Sequence, residues 1–476
     1  MMKKPNILFL FADDMRYDTI AALGNQEIKT PNLDKLVEQG TSFLNAHIPG
    51  GTIAAVCMPS RAMVNTGRNI FHLQESGKSI PQAHALLGET LRQQGYTTFG
   101  TGKWHNCTDS YARSFSCGDE IFFGAMYDHW RVPTYHFDPT GRYANTFPEV
   151  CNPGFNNLTT ERHADHINWG IHSTDLFTDA ACKFLNEYDG EEPFYMYVAY
   201  MAPHDPRSMP KKYMELYDLD KISLPPNFME KHPFDYGMNM VRDENLAAIP
   251  RRKEEIKRHI RDYYAMISHT DDRIGDILQA LKDSGKYEDT IIIFSADNGL
   301  AVGQHGLMGK QSTYEHSIRV PLVMCGPGIP KGETRDGYVY LMDLFPTICD
   351  MIGCQIPHTV DGISFYETIA DNRKKSRDTL FLIFGDKVRS FKNEKYKLIE
   401  YKYADLRRTQ LFDLEKDPWE INDLSRQEKM QPVIHKLREE LKKCAMEWGD
   451  MDTPEGKRFW LEYMRVEEEE SGFLQG

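Results

Sequence analysis

Three short runs with almost no polar residue constrain this chain most. NILFLFA (6–12), FYMYVAYM (194–201) and TIIIFSAD (290–297) are apolar almost continuously. A strand with one wet face would alternate apolar and polar residues. Unbroken runs imply strands covered on both faces, as in a mainly parallel sheet with helices packed on either side. Helical patterns lie between the runs. TPNLDKLVEQG (30–40) offers Thr30 as an N-cap, Pro31 at the first helical position and Gly40 as a stop. From Arg251 to Ser284, Ile256, Ile260, Tyr263, Ile267, Ile274, Ile277 and Leu281 fall on one helical stripe. Such alternation of strands and helices reads as βαβ units. Beyond about Asp378 the style changes to short amphipathic strands (LFLIF, KYKLIEYKY, TQLFDLEKDP) and a closing helix over 431–448. The expected fold is α/β: a large, mainly parallel or mixed central sheet flanked by helices over 1–377, then a smaller subdomain with an antiparallel sheet and a helix over 378–476.

With 476 residues, 41% of them hydrophobic and 26% charged, a sizeable core is available. The net charge of −14 argues against nucleic acid as a partner, because phosphate binding needs clustered Lys and Arg. Nine cysteines are scattered without a CxxC pair, which disfavours a zinc ribbon or a thioredoxin-like site. Cys349 and Cys354 read as two packed thiols. No apolar run approaches the ~18 residues of a membrane span. The start, MMKKPNILFLFADD, mimics an export signal but ends in paired aspartates, so it reads as a strand. The expectation is a cytoplasmic chain as given, or a periplasmic one if an export signal has been trimmed. The terminal EEEE (467–470) reads as a solvated charge run.

Two of the apolar runs end alike, one in Asp13 and Asp14, the other in Asp297 and Asn298. In open parallel sheets, ligands collect beyond the carboxyl ends of the strands. Either pair alone reads as a cap or a turn. Together, three carboxylates at one sheet edge would repel strongly unless a cation neutralised them. An all-oxygen set that includes an amide suits Ca²⁺ or Mg²⁺ better than zinc. The condition is that the two strands are neighbours, which spacing does not determine.

Basic residues fall at comparable places. GKWH (102–105) puts Lys103 and His105 two apart, on one face of an extended segment. APHDP (202–206) sets His204 just after a buried strand, and GLMGKQSTYE (306–315) sets Lys310 a short loop beyond Asp297. Each alone is a surface lysine or a hydrogen-bonded histidine. Collectively, beside a proposed metal, they suit a tetrahedral oxyanion bound by lysines and protonated by histidine.

VCMPSRAMVNTGR (56–68) places Cys57 two residues before Pro59, at the mouth of a helix. Three readings compete: a buried structural thiol, a metal or redox thiol, and a precursor of another group. A helix N-terminus lowers a thiol pKa and suits a thiolate, yet a thiolate is a poor companion for hard oxygen ligands.

CMPSRAMVNTGR resembles the CxPSRxxxxTGR signature of the type I sulfatases, members of the alkaline phosphatase superfamily. ADD, GKWH, PH, DNG, G-x-x-GK, YE and RVP occur in that family's order, and LFDLEKDPWEINDLS (411–425) looks like its C-terminal signature. The resemblance implies an alkaline-phosphatase-like fold and a sulfuric ester hydrolase. Cys57 would be oxidised by a formylglycine-generating maturation enzyme to formylglycine (3-oxoalanine), whose hydrate is an oxygen nucleophile. Asp13, Asp14, Asp297, Asn298 and the modified Cys57 would bind Ca²⁺, with Mg²⁺ the alternative. Arg61 would hold the hydrated aldehyde, Lys103 and Lys310 the sulfate oxygens. His204 would protonate the leaving alcohol, and His105 would take the proton from the second hydroxyl of the sulfated diol. Asn65 stands where the family commonly has leucine.

Two rivals stay open: a phosphonate or phosphate ester hydrolase of the same superfamily, and a non-catalytic carbohydrate-binding protein on this scaffold. For the substrate, the loop region 106–166 carries Tyr127, Asp128, His129, Trp130, Arg131, His163 and His166. Of these, His129, Arg131, His163 and His166 are candidates to grip a sulfated sugar, such as a glycosaminoglycan uronate or glucosamine sulfate. Packing of the long loops is the competing explanation.

Overall fold

A computed structural model describes residues 4–149, 160–461 and 463. The large sheet contains β1 (Asn6–Ala12), β2 (Gly40–His47), β3 (Thr97–Lys103), β4 (Cys117–Phe122), β5 (Phe194–Ala199), β6 (Thr290–Ala296), β7 (Leu322–Cys325) and β8 (Glu333–Tyr340). Their spatial order is β8-β2-β7-β6-β1-β5-β3-β4. Neighbours pair in parallel throughout, except where β7 runs antiparallel between β6 and β2. The unbroken apolar runs have the expected cause. Phe9, Phe11, Tyr195, Tyr197, Ile291 and Ile293 enter the core on one face of the sheet. Leu8, Leu10, Met196, Val198, Ile292 and Phe294 enter a second core on the other.

Helices α1 (Pro31–Gln39), α2 (Cys57–Thr66), α3 (Ser173–Glu187) and α4 (Lys253–Asp283) pack around this sheet. All seven residues of the apolar stripe read in α4 are buried. Thr30 precedes α1 without capping it: its hydroxyl accepts from Ala21 N at 2.9 Å and donates to Asp34 at 3.1 Å. Capping comes instead from α4, where Asp271 Oδ1 accepts from Leu33 N at 2.7 Å and Asn32 N at 3.1 Å. Gly40 ends α1 by opening β2, and a Cβ there would lie 2.2 Å from Met324 O.

The smaller sheet consists of β9 (Thr379–Phe384), β10 (Val388–Asn393), β11 (Tyr396–Tyr403) and β12 (Leu406–Asp413), all antiparallel, backed by α5 (Gln431–Glu447). Sequence patterning misses β10, VRSFKN, whose charged residues Arg389 and Lys392 are buried in ion pairs rather than alternating with solvent. A short strand, Gly50–Gly51, joins this sheet through β9 in parallel. Gly50 has φ +107°, and a Cβ would sit 2.0 Å from Ile383 O, so only glycine allows the approach. The small sheet thereby grips the chain six residues before Cys57. The described cysteines are free thiols. Cys151 and the EEEE run lie outside the described residues. Among those described, no helix is long and apolar enough to cross a membrane.

Candidate active site

β1 and β6 are parallel neighbours in register, with Ala12 opposite Ala296. Asp13 and Asp297 therefore leave the sheet side by side, and Asp297 N donates to Ala12 O at 3.2 Å. Asp14, with φ +64°, turns back so that its N–H donates to Asp297 Oδ1 at 3.0 Å. The hydroxyl of Tyr263, on α4, bridges this turn: it accepts from Arg16 N at 2.9 Å and donates to Asp14 O at 2.5 Å. β3 and β5 end at the same edge and deliver Lys103 and His204.

Cys57 opens α2 and is 3% exposed. Its Sγ lies 3.4 Å from His105 Nδ1 and 3.9 Å from both Lys103 Nζ and Lys310 Nζ. β3 stops at Lys103, so His105 does not share a strand face with it as expected; a left-handed backbone (φ +63°) turns it onto the same sulfur. Arg61, one turn along α2, donates from Nε to Asp297 Oδ2 at 2.8 Å and from Nη1 to Lys103 O at 2.7 Å. Lys103 pairs with Asp13, and Lys310 Nζ donates to Asp14 Oδ1 at 2.5 Å. Asn298 Nδ2 donates to Asp14 Oδ1 at 2.7 Å. His204 Nδ1 donates to Asp205 O at 2.8 Å, leaving Nε2 facing Asp14 Oδ2 at 3.6 Å.

Three buried acids thus face three buried bases. Burial alone would raise the Asp13 pKa, but Lys103, Arg61, His204 and Lys310 hold it well below the usual range. Asp297 is pushed up to about 7 by burial and then by the charge of Asp13. Burial also pushes the Cys57 thiol up against the pull of Lys103 and Lys310, so position 57 holds a thiol and not the thiolate that a helix N-terminus would favour. His105 is held well below its usual value by burial and then by Lys103 and Arg61, which leaves it neutral.

These residues fit a hard cation. Ligand atoms of Asp13, Cys57 and Asp297, and of Asp13, Asp14 and His204, lie within 4.8 Å of one another. Asp13 Oδ1 and Asn298 Oδ1 are buried acceptors without a hydrogen-bond donor. A native protein seldom strands two such oxygens, and carboxylate plus amide oxygen is a Ca²⁺ or Mg²⁺ donor set.

The candidate sugar contacts divide differently. His129 is fully buried, with Nδ1 2.7 Å from Ser173 Oγ and Nε2 3.0 Å from His204 O, so neither nitrogen is left for a ligand. His166 turns Nε2 to Glu120 at 3.0 Å and Thr134 at 3.2 Å, and its ring stacks on His136. His163 is exposed in a hairpin, opposite Thr146. Arg131 lies over the rings of Tyr127 and Trp169, at 5.7 and 5.3 Å. Sequence reasoning passed over Trp169, which is 65% exposed. It also passed over Tyr263, Asp205, Arg242, Asp243 and Gln311. Arg242 Nη1 donates to Asp205 Oδ1 at 3.0 Å and Asp243 Oδ1 at 2.9 Å, while Gln311, next to Lys310, donates to Asp243 Oδ2 at 2.7 Å. The repeated pairing of His204 and Lys310 with a polar next residue was the available signal.

Comparison with known proteins adds to this geometry. The sulfatase family model matches residues 5–354, and a model described as N-sulphoglucosamine sulphohydrolase, C-terminal, matches residues 303–447. An arylsulfatase of Clostridium perfringens is 30% identical over 465 residues, covering 91% of this chain and 93% of that protein. A protein solved in complex with its substrate D-glucosamine-2-N,6-O-disulfate is similar in fold, with a TM-score of 0.73 and 21% identity over 95% of this chain and 99% of that one. The phosphonate monoester hydrolase of Agrobacterium radiobacter gives a TM-score of 0.72 and 20% identity over 94% and 96%. Since the family model spans most of the length and an arylsulfatase aligns along nearly all of it, the chain belongs to the sulfatase family and is a sulfuric ester hydrolase.

Proposed function

We propose that this enzyme cleaves O-sulfate from a sugar with a formylglycine made from Cys57 and a Ca²⁺ ion held by Asp13, Asp14, Asp297 and Asn298. When present, the formylglycine supplies an oxygen nucleophile through its hydrate, and the ion supplies Lewis acidity. The Cys57 Sγ stands in for that oxygen. The carrying observation is the convergence on this one atom of His105 at 3.4 Å and two lysines at 3.9 Å, beside the Asp13 and Asp297 carboxylates.

Lys103 and Lys310 bind the sulfuryl oxygens and set sulfur opposite position 57. Preorganised charge in a dry site is where such stabilisation is largest. Neutral His105 is a proton acceptor beside position 57, and Arg61 orients that side of the site through Asp297. His204, with Nε2 turned to the site, delivers a proton to the departing oxygen. The net reaction takes a sulfate monoester and water to an alcohol, sulfate and a proton.

Support for a sugar comes from the sheet edge. Lys103 pairs in register with Phe122, so the chain leaving β4 crosses the same edge as the site, and α3 begins there before returning to β5. Trp169 and Arg131 both sit on this connection between β4 and α3, an exposed indole and a guanidinium suited to a sugar face and its anionic substituents. The glucosamine disulfate named for one structural relative is consistent with that chemistry.

The test uses protein from a host able to mature Cys57. Mass analysis of the peptide spanning it should show loss of the sulfur, and chelation should abolish sulfate release until Ca²⁺ is restored. Active protein carrying only an unmodified thiol would defeat the mechanism. The fold shared with a phosphonate monoester hydrolase supports a second reading, and faster turnover of an aryl phosphonate than of the matched aryl sulfate would favour it.

A further inference from the structure

His204 rides on the loop 203–208, and two histidines hold that loop from beneath. His129 Nε2 faces His204 O at 3.0 Å. A carbonyl only accepts, so Nε2 carries the proton, and Nδ1 is the acceptor for Ser173 Oγ at 2.7 Å. Ser173 N closes the latch by donating to His129 O at 2.7 Å. His172 is stacked on His129, with ring centroids 4.9 Å apart and planes 5° from parallel. Its Nε2 donates to Ser208 O at 2.9 Å, and its Nδ1 accepts from Thr174 N at 3.2 Å. Both rings are buried, each in one tautomer, with all four nitrogens used. The stack rests on His269 (4.7 Å), which meets Asp175 Oδ1 at 2.8 Å and stacks on Tyr213.

We propose that His129 and His172 are positioning residues that grip the acid loop by the carbonyls of His204 and Ser208, and so fix the His204 ring against the leaving oxygen. This rests on the role given to His204 above. The physical need is tight: proton transfer requires about 2.6–3.2 Å between heavy atoms, and a misplacement of about 1 Å can cost on the order of 10²-fold. Within the loop, the His204 ring has one hydrogen bond, to Asp205 O, and Arg242 restrains the Asp205 carboxylate. Arg242, and Arg207 Nη1 at 2.7 Å from His259 Nδ1 on α4, hold the loop by side chains and leave its main chain on the α3 side to be fixed. The imidazole stack supplies that, anchored on the first turn of α3 through Ser173 and Thr174.

The consequence is selective, because protonation matters for a poor leaving group such as a sugar hydroxyl and little for a nitrophenolate. The experiment measures kcat/KM of the full-length, matured enzyme on aryl sulfates of graded leaving-group pKa and on a sulfated sugar. His129→Leu should lose at least about tenfold more on the sugar sulfate than on nitrophenyl sulfate, steepening the dependence on leaving-group pKa. His129→Gln should recover most of the difference, since its amide can donate to His204 O and accept from Ser173. If His129→Leu does not fold, Ser173→Ala carries the test: it removes the donor that fixes the tautomer and should steepen the same slope to a lesser degree. An equal loss on every substrate, or no rescue by Gln, would overturn the positioning role. His204→Ala is the control: a flat leaving-group dependence there would mean that the acid assignment fails, not the latch.

Discussion

Replacing Lys310 with Met removes one positive charge and keeps the length of the side chain. Its side chain is 3% exposed, with Nζ 3.9 Å from Cys57 Sγ and 2.5 Å from Asp14 Oδ1. Opposite unit charges 4 Å apart attract by about 4 kcal/mol at an effective dielectric near 20. Sulfuryl charge is spread over three oxygens, and Lys103 acts from the same 3.9 Å. About 3 kcal/mol of transition-state stabilisation is therefore assigned to Lys310, a loss of roughly 10²-fold in kcat/KM. The cation should respond in the opposite direction. Asp13, Asp14 and Asp297 would face two bases in place of three, and Lys310 would no longer compete for Asp14. Ca²⁺ affinity should tighten by about tenfold or more. Stability should follow the ion: breaking a buried pair costs about 3–5 kcal/mol, so the melting temperature falls in Ca²⁺-free buffer and recovers on addition. Steady-state kinetics on an aryl sulfate, calorimetric titration with Ca²⁺ and thermal melts read the three quantities. A loss of less than tenfold in kcat/KM, or weaker Ca²⁺ binding, in folded, matured protein would refute this electrostatic account.

Tyr263→Phe removes the hydroxyl that bridges Arg16 N and Asp14 O. Two net hydrogen bonds predict about 1–3 kcal/mol of lost stability by chemical denaturation, together with weaker Ca²⁺ binding as the Asp14 turn loosens. Asp271 is pushed up to about 7, chiefly by burial, although it accepts from Leu33 and Asn32. Its folded-state pKa is above the ordinary 3.8, so the folded state binds the extra proton and stability is lost as pH rises from about 4 to about 7. Asp271→Asn should flatten that descending limb, while setting its amide NH2 against the Asn32 donors; parallel pH–stability curves for variant and wild type would contradict the assignment. Trp169→Ala should raise KM for a sulfated disaccharide about five- to tenfold, at ~1 kcal/mol for the lost stacking, and leave nitrophenyl sulfate nearly unaffected. Equal KM changes on both substrates would remove the sugar platform.

The proposed metal donors could be picked out because strand chemistry and strand ends are local: an apolar run closed by acids marks both where a strand stops and which groups stand at its tip. What remained open was whether the strands ending in Asp13 and Asp297 are neighbours. Strand order supplies that, and a separation of 284 residues leaves no local trace of it. His105 shows a milder failure, since its convergence on Cys57 comes from a positive φ and not from strand alternation.

The supporting shell was illegible for a different reason. Tyr263 lies on the apolar stripe of α4, where periodicity assigns it to the core, and its aromatic body is indeed buried there; only the hydroxyl does the second job. His129 was drawn to the substrate by the company of other aromatics, yet its partner is the main-chain oxygen of His204. Any residue type supplies a carbonyl, so a grip on the backbone asks nothing of the gripped side chain and writes no motif. It asks only for a donor of fixed tautomer and a second group to fix it, here Ser173, 44 residues away. Side chains that touch the reacting atoms are constrained in type and cluster in readable signatures. Those that hold the loops carrying them are constrained in place, and place is decided by the packing of α3 and α4 against the sheet.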